Sequence, residues 1–189
     1  MNRRLLAIVL AASALLLAGC GSPNTSDEGH DGADVTFAQQ MIPHHEQAVE
    51  MSDLALDPAR GASADVTDLA TRIRAAQKPE IEELTGFLEG WGEDVPSGHG
   101  EHGDHGGHGG AGHSMAGMMS EDQMDRLADS DGATFDRLWL EMMVEHHEGA
   151  VEMARTEIAD GQDSRAKALA RAIIDAQTAE ITQMKGLLG

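Results

Sequence analysis

From Asp34 onward apolar residues return every three or four positions, the spacing of helices that bury one face, and no stretch sustains the period of two that a half-buried strand requires. An all-α chain is predicted. Breaks in the period mark the element ends. The first element runs from Asp34 to about Leu56 and stops at Asp57 and Pro58; the second runs from about Ser63 to Glu89 and stops at Gly90 and Gly92. Ser120 with Gln123 reads as a capping box that opens a short helix to about Ala128. A third long helix starts at Ser130 or Asp131 and ends near Gly161, and a fourth runs from about Ser164 to Leu188. Two helical hairpins that share a core, residues 34–90 and 120–189, make a four-helix bundle, and roughly 140 ordered residues suffice for one such domain.

The helical wheel assigns the faces. At ~100° per residue, Trp139, Leu140, Met143, His146, His147, Ala150, Val151, Met153, Ala154 and Ile158 share one half of the circumference, with Glu141, Glu145, Glu148 and Glu152 opposite. Phe37, Met41, Ile42, His44, His45, Ala48, Val49 and Met51 likewise point inward, with Glu46 and Glu50 outward. In the second helix Val66, Leu69, Ala70, Ile73, Ala76, Leu84, Phe87 and Leu88 form the inward arc, yet Gln77 and Glu80 fall in its middle. Gln177 and Glu180 do the same among Leu169, Ala170, Ile173, Met184 and Leu187. An ionised carboxylate on an apolar face is costly unless it is paired or bound to a metal. Four inward histidines, two glutamates and two glutamines therefore need one another, a metal, or both.

These residues belong to a stretch that occurs twice. Met41 to Met51 reads MIPHHEQAVEM, and Met143 to Met153, 102 residues later, reads MVEHHEGAVEM. Asp34 and Phe37 recur as Asp136 and Trp139 at the same offset, and Ile73, Ala76, Gln77, Glu80 and Ile81 recur as Ile173, Ala176, Gln177, Glu180 and Ile181 at an offset of 100. Imidazole is a borderline and thioether a soft metal donor. His44, His45, His146 and His147 with Met41, Met51, Met143 and Met153 are thus candidate metal ligands, and Glu80, Glu180, Gln77 and Gln177 are candidate ligands or supports. Taken singly, the methionines read as core filler and a His with a Glu as a satisfied polar pair; their joint, duplicated occurrence favours ligation. Pro43 and Pro79 face Glu145 and Ala179 in the second copy. An interior proline frees a carbonyl and kinks the helix, which predicts a distinct first hairpin and two unequal sites.

The rest of the chain adds a compartment and a second class of ligand. Arg3 and Arg4 precede an apolar run from Leu5 to Leu17 that is too short to span a membrane comfortably as a mature helix. Leu17, Ala18, Gly19 and Cys20 resemble a bacterial lipobox. Residues 1–19 are then a signal peptide, Cys20 the lipidated first residue, and residues 20–33, rich in Gly, Ser, Asp and Asn, a flexible tether. The expected location is the extracytoplasmic face of the cell membrane. Cys20 is the only cysteine, so an intramolecular disulfide and a thiolate site inside the fold are excluded. Between residues 91 and 119 the chain is low in complexity. His99, His102, His105, His108 and His113 lie among glycines, followed by Met115, Met118 and Met119, a composition suited to labile, secondary metal binding or to a plain spacer. Of 13 basic residues, loss of Arg3 and Arg4 leaves 11 against 33 acidic, a mature charge of about −22. Nucleic acid is not a partner for such a surface. An acidic face attracts cations in a general way but also serves solubility, and it carries no argument for a metal.

The paired HHExAVEM motifs, the AQxxEI motifs after them, the GMMSEDQM segment and the run FDRLWLEMMVEHHEGAVEMA together resemble the bacterial family labelled domain of unknown function 305, over nearly all of residues 34–189. The resemblance implies a ferritin-like four-helix bundle, usually exported, and copper binding of the kind a periplasmic member uses in copper resistance. Ferritin-like architecture also admits a di-iron oxidase, which takes Glu-x-x-His from two helices. Met41 and Met143 stand where that pattern has Glu, and thioether with imidazole suits copper, Cu(I) above all, better than Fe(III). The expectation is an extracytoplasmic copper-binding lipoprotein that sequesters, buffers or hands on copper, with zinc or iron as alternative ions. A copper-transfer partner or a second copy of the chain would be its protein partners. The other readings are a di-metal oxidase and an interaction module with a purely structural His/Glu core.

Overall fold

The structure is a computed structural model that describes residues 29–96 and 115–189. The leader, Cys20 and most of the tether lie outside the described residues, as do His99, His102, His105, His108 and His113. Four long helices and one short one make up the described fold, which is all-α: α1 Gly32–Leu56, α2 Ala64–Trp91, α3 Glu121–Ala128, α4 Gly132–Asp160 and α5 Ser164–Leu188, with a 3-10 turn at Pro58–Arg60 after α1. Among the described residues no helix is long and apolar enough to cross a membrane.

Side-chain caps set most of the starts. Asp31 accepts the amides of Ala33 and Asp34 at 2.8 and 3.3 Å, and the Asp34 carboxylate returns a bond to the Asp31 amide at 2.6 Å, a reciprocal box that opens α1 two residues before its expected start. Ser63 caps α2, Asp163 caps α5, and Ser120 with Gln123 forms the box expected for α3. At the far end of α2, Gly92 adopts φ 76°, a left-handed conformation that lets the chain turn out of the helix. Pro43 and Pro79 do not interrupt their helices; α1 and α2 run on through them.

Each hairpin packs along its own length, α1 on α2 and α4 on α5, and the hairpins meet chiefly through α1 and α4. Two apolar clusters result. One holds Met51, Leu69, Ile73, Phe135, Trp139 and Met143; the other holds Phe37, Met41, Leu84, Phe87, Leu169 and Ile173. The second half of α1 thus meets the first half of α4, and the two helices run antiparallel. Trp139, fully buried, donates from its indole to the carbonyl of Met51 at 2.9 Å and so ties α4 to α1 without leaving a polar atom unpaired. Ala76, assigned inward by the wheel, is exposed: it lies at the edge of the arc, where α2 has no neighbour.

The hairpins also grip each other at their ends. Asp34 on α1 accepts the amides of Gln162 and Asp163 at 3.1 and 2.9 Å, where α5 begins; Asp136 on α4 accepts the amide of Ser63 at 3.0 Å, where α2 begins. The start of each hairpin's second helix is therefore held by the first helix of the other hairpin. Around Asp34 this grip includes Glu157, which is only 1% exposed. A side chain at Gly161 would collide with the Glu157 carboxyl. Burial raises the pKa of Asp34, but bonds from the Asp31, Gln162 and Asp163 amides and from Glu157 outweigh it and keep Asp34 ionised. For Glu157, burial first, then the hydrogen bond to Asp34 and the Asp34 and Asp31 charges, push its pKa up to about 8 against the attraction of Lys167. Glu157 is the proton donor of the pair.

A carboxyl that is protonated in the fold and ionised in the unfolded chain stabilises at low pH and loses that contribution as pH rises through its folded value. Stability is expected to fall by about 1 kcal/mol between pH 7 and pH 8.5, roughly 2–4 °C in Tm. Thermal melts of Glu157→Gln, which keeps a donor toward Asp34 without a charge to lose, should show a flat profile over that window.

Candidate metal centre

Between the two apolar clusters lies a polar layer. In α1 it occupies His44 and His45, in α4 His146 and His147, in α2 Gln77 and Glu80, and in α5 Gln177 and Glu180. All four histidines are fully buried. Their helical spacing produces this: adjacent residues on an amphipathic helix both face inward when the stripe is wide, and the apolar residues three and four positions away belong to the clusters on either side.

The layer contains three histidine arrangements. The imidazoles of His44 and His146 face each other across the α1–α4 seam with ring centroids 3.8 Å apart and planes inclined by 38°. To either side, His45 Nε2 lies 2.8 Å from Glu80 Oε2, and His147 Nε2 lies 2.8 Å from Glu180 Oε2. The equal distances show that Pro43 and Pro79 do not make these pairs unequal. Glu80 and Glu180 keep 19% and 20% of their side chains exposed, so each carboxylate reaches in from the rim and meets one histidine. Gln77 and Gln177, 2% and 3% exposed, have neither amide oxygen nor amide nitrogen in a hydrogen bond.

The central pair is electrostatically prepared to stay neutral. Burial, then repulsion by His45 and more weakly by His147, lowers His44 to about 3, although the Ala116 carbonyl favours its protonated form. Burial, followed by the charges of His44, His147 and His45, puts His146 well below the ordinary imidazole range, with only the backbone of His44 opposing. Neither ring nitrogen of His146 makes a well-formed hydrogen bond, and Nδ1 of His44, His45 and His147 has no partner. Buried imidazole lone pairs without donors are the condition a metal requires of its ligands.

The sulfur donors are close in sequence and in the same interior. Met41 and Met143 stand three residues before His44 and His146, on the same helical faces, and both are fully buried; Met51 is also buried, in the cluster beyond, and Met153 is half-buried. Of the linker methionines, Met119 is buried, and Met115 and Met118 are half-buried. Among the described residues no three of His, Cys, Asp or Glu converge on one point. Tetrahedral zinc and a carboxylate-bridged iron pair each need such a set. What the layer offers is a pair of neutral imidazoles, with the buried Met41 and Met143 one helical turn before them on the same helices, donor types that suit a soft ion.

Several residues that build the layer were not singled out in the sequence. Residues 115–119 cross α4 as a strap. The carbonyl of Ala116 lies 3.1 Å from His44 Nε2, and Gln47 holds both backbone atoms of Met119, donating to its carbonyl at 2.9 Å and accepting its amide at 2.7 Å. Gly149 makes room for the strap, since a Cβ there would collide with the Ala116 carbonyl. Gly117, at φ 78°, passes so close that a Cβ would lie 2.6 Å from the Glu145 carbonyl. One signal was available: Gln47 and Gly149 occupy the variable position of HHExAVEM, the single place within that motif where the copies differ.

The comparisons agree with this architecture. Among curated proteins none matches the chain. Among solved structures, a DUF305 protein described as secreted, from Streptomyces coelicolor, is 30% identical and superposes with a TM-score of 0.71 over 86% of this chain and 94% of that one. A DUF305 fragment from Deinococcus radiodurans is 29% identical, with a TM-score of 0.70 over 84% and 97%. CopM in its Cu(II)-bound form is 31% identical, with a TM-score of 0.66 over 82% and 95%, and that protein has also been solved with Cu(I) and with silver. The family model for the domain of unknown function (DUF305) matches residues 34–188, from the aspartate that grips α5 to the last turn of α5 itself, and the chain belongs to that family.

Proposed function

We propose that this chain is an extracytoplasmic copper-binding protein, held to the membrane by a lipid on Cys20, that takes copper into the bundle through His44 and His146. The observation that carries this reading is the facing pair of buried, neutral imidazoles, in which Nδ1 of His44 and both nitrogens of His146 have no hydrogen-bond partner. Ring centroids 3.8 Å apart support one site shared by the two histidines. Met41 and Met143 supply thioether sulfur to it, and Met51 and Met153 stand behind them. Glu80 and Glu180 orient His45 and His147 by accepting from Nε2, and carboxylate–imidazole support of this kind strengthens a ligand. Gln77 and Gln177 offer amide oxygens at the same level. The copper- and silver-bound forms of CopM support the choice of ion, and the secreted description of the Streptomyces protein supports the compartment. The histidines at 99, 102, 105, 108 and 113, with Met115 and Met118, are the outer collectors.

Metal identity decides the reading. Imidazole affinity alone favours Cu(II) over other divalent ions, whereas a thioether contributes to Cu(I) and little to Zn(II). Combined Met41→Leu and Met143→Leu keeps volume and apolarity at a packing cost below ~1.5 kcal/mol per site. In competition with a Cu(I) chelator the double variant should bind Cu(I) at least about tenfold more weakly, ~1.4 kcal/mol, with Zn(II) affinity nearly unchanged. Equal Cu(I) affinity in parent and variant would leave the methionines as core filler.

The two classes of site also separate by pH. His44 is lowered to about 3 and stays neutral in mild acid, while a histidine with an ordinary pKa near 6.5 is charged there and releases its metal. Copper bound in the bundle should therefore survive dialysis at pH 5, and only the capacity removed by deleting residues 98–113 should be lost. Disappearance of the tightest site with that deletion would place the main site in the linker. Membrane attachment has its own check: Cys20→Ser should move the protein from the membrane to the soluble fraction, and unchanged partitioning would rule out the lipid.

A further inference from the structure

The strap of residues 115–119 meets the imidazole of His44 but only the backbone of His146. A carbonyl oxygen only accepts, so the contact between the Ala116 carbonyl and His44 Nε2 requires the proton of that neutral imidazole to sit on Nε2. Its lone pair is then on Nδ1, which is buried and has no partner. His146, the matching residue of the second motif copy, makes no such contact and keeps both nitrogens open. The difference between the two histidines originates at one motif position. Gln47 anchors Met119 through two hydrogen bonds, 2.9 and 2.7 Å, and Gly149 leaves the space into which Ala116 is pressed.

We propose that the strap, latched by Gln47 and seated on Gly149, is a positioning element that fixes His44 as its Nε2–H tautomer and makes Nδ1 the nitrogen it presents to metal. His146 is the adaptable partner, able to offer either nitrogen. The donor assignment rests on the copper reading above; the tautomer assignment does not. An entering ion thus meets one preset ligand and one that rotates to meet it, which lowers the cost of reorganising a buried site.

The test is histidine-selective 15N NMR on the full chain, with the His44 signals assigned by their loss in His44→Ala. Before metal is added, neutral His44 should show a protonated Nε2 and a bare Nδ1. Gln47→Ala should give a mixture of tautomers at His44 and leave the His45 and His147 signals in place. Should Gln47→Ala fail to fold, Gly149→Ala displaces the same strap from the opposite side and adds a good helix former to α4. Addition of Cu(I) should shift Nδ1 of His44 and leave its Nε2–H present. A proton on Nδ1 in the metal-free chain, or a tautomer unmoved by a displaced strap, overturns the proposal whatever copper does. A Cu(I) shift at Nε2 with loss of its proton overturns the donor assignment. If Cu(I) moves no histidine signal while the tautomer responds to the strap as expected, the copper reading is what fails, and the strap keeps its role in setting His44.

Discussion

The bundle depends on a layer of eight polar side chains, six of them buried. Four imidazoles, two amides and two carboxylates sit at one level between two apolar clusters, and a buried polar group left without a partner costs on the order of 1–3 kcal/mol. A domain of this size is stable by only about 5–15 kcal/mol in all. The arrangement around the layer follows from that pressure. The carboxylates stay at the rim, part-exposed, and each takes one histidine; the strap takes a third; burial keeps His44 and His146 uncharged. The layer also sets the alignment of α1 against α4. A slide of one turn would carry His44 into the cluster of Met41 and Leu84 or into that of Met51 and Trp139, where no acceptor waits.

The same pressure links fold to function. Buried lone pairs without partners are held ready for a group that accepts electron pairs. The copper reading is the one in which the cost of the layer and its use have the same origin.

Much of this was legible in the residues. The 3.6-residue period located all four long helices, Ser120 and Gln123 announced the cap of α3, and the wheel placed His44, His45, His146 and His147 inside and Glu141, Glu145, Glu148 and Glu152 outside, because those features depend on neighbours within one helix. Contacts between helices were out of reach. Glu157 looks like one more surface acid until the α4–α5 turn folds it against Asp34, and its burial follows from Gly161, whose missing side chain is a three-dimensional fact. The wheel put Ala76 inward since it assumes a neighbour on every side of the arc, and α2 lacks one there. Prolines within helices suggested inequality in the wrong place: the asymmetry comes from a strap that arrives from 72 residues away to meet Gln47 and His44.

The paired aspartates at the bundle ends have a bearing on how the chain is held together as a whole. Asp34 secures the start of α5 and Asp136 the start of α2, so each half carries the clasp for the other, much as the two subunits of a symmetric dimer do. The two clasps hold the halves to each other independently of the peptide that joins them. Were it severed between residues 97 and 114, the fragments would retain both clasps and both halves of the buried layer, and their reunion would become a bimolecular equilibrium governed by concentration. The molecule is, in that sense, a heterodimer that happens to be written on one chain.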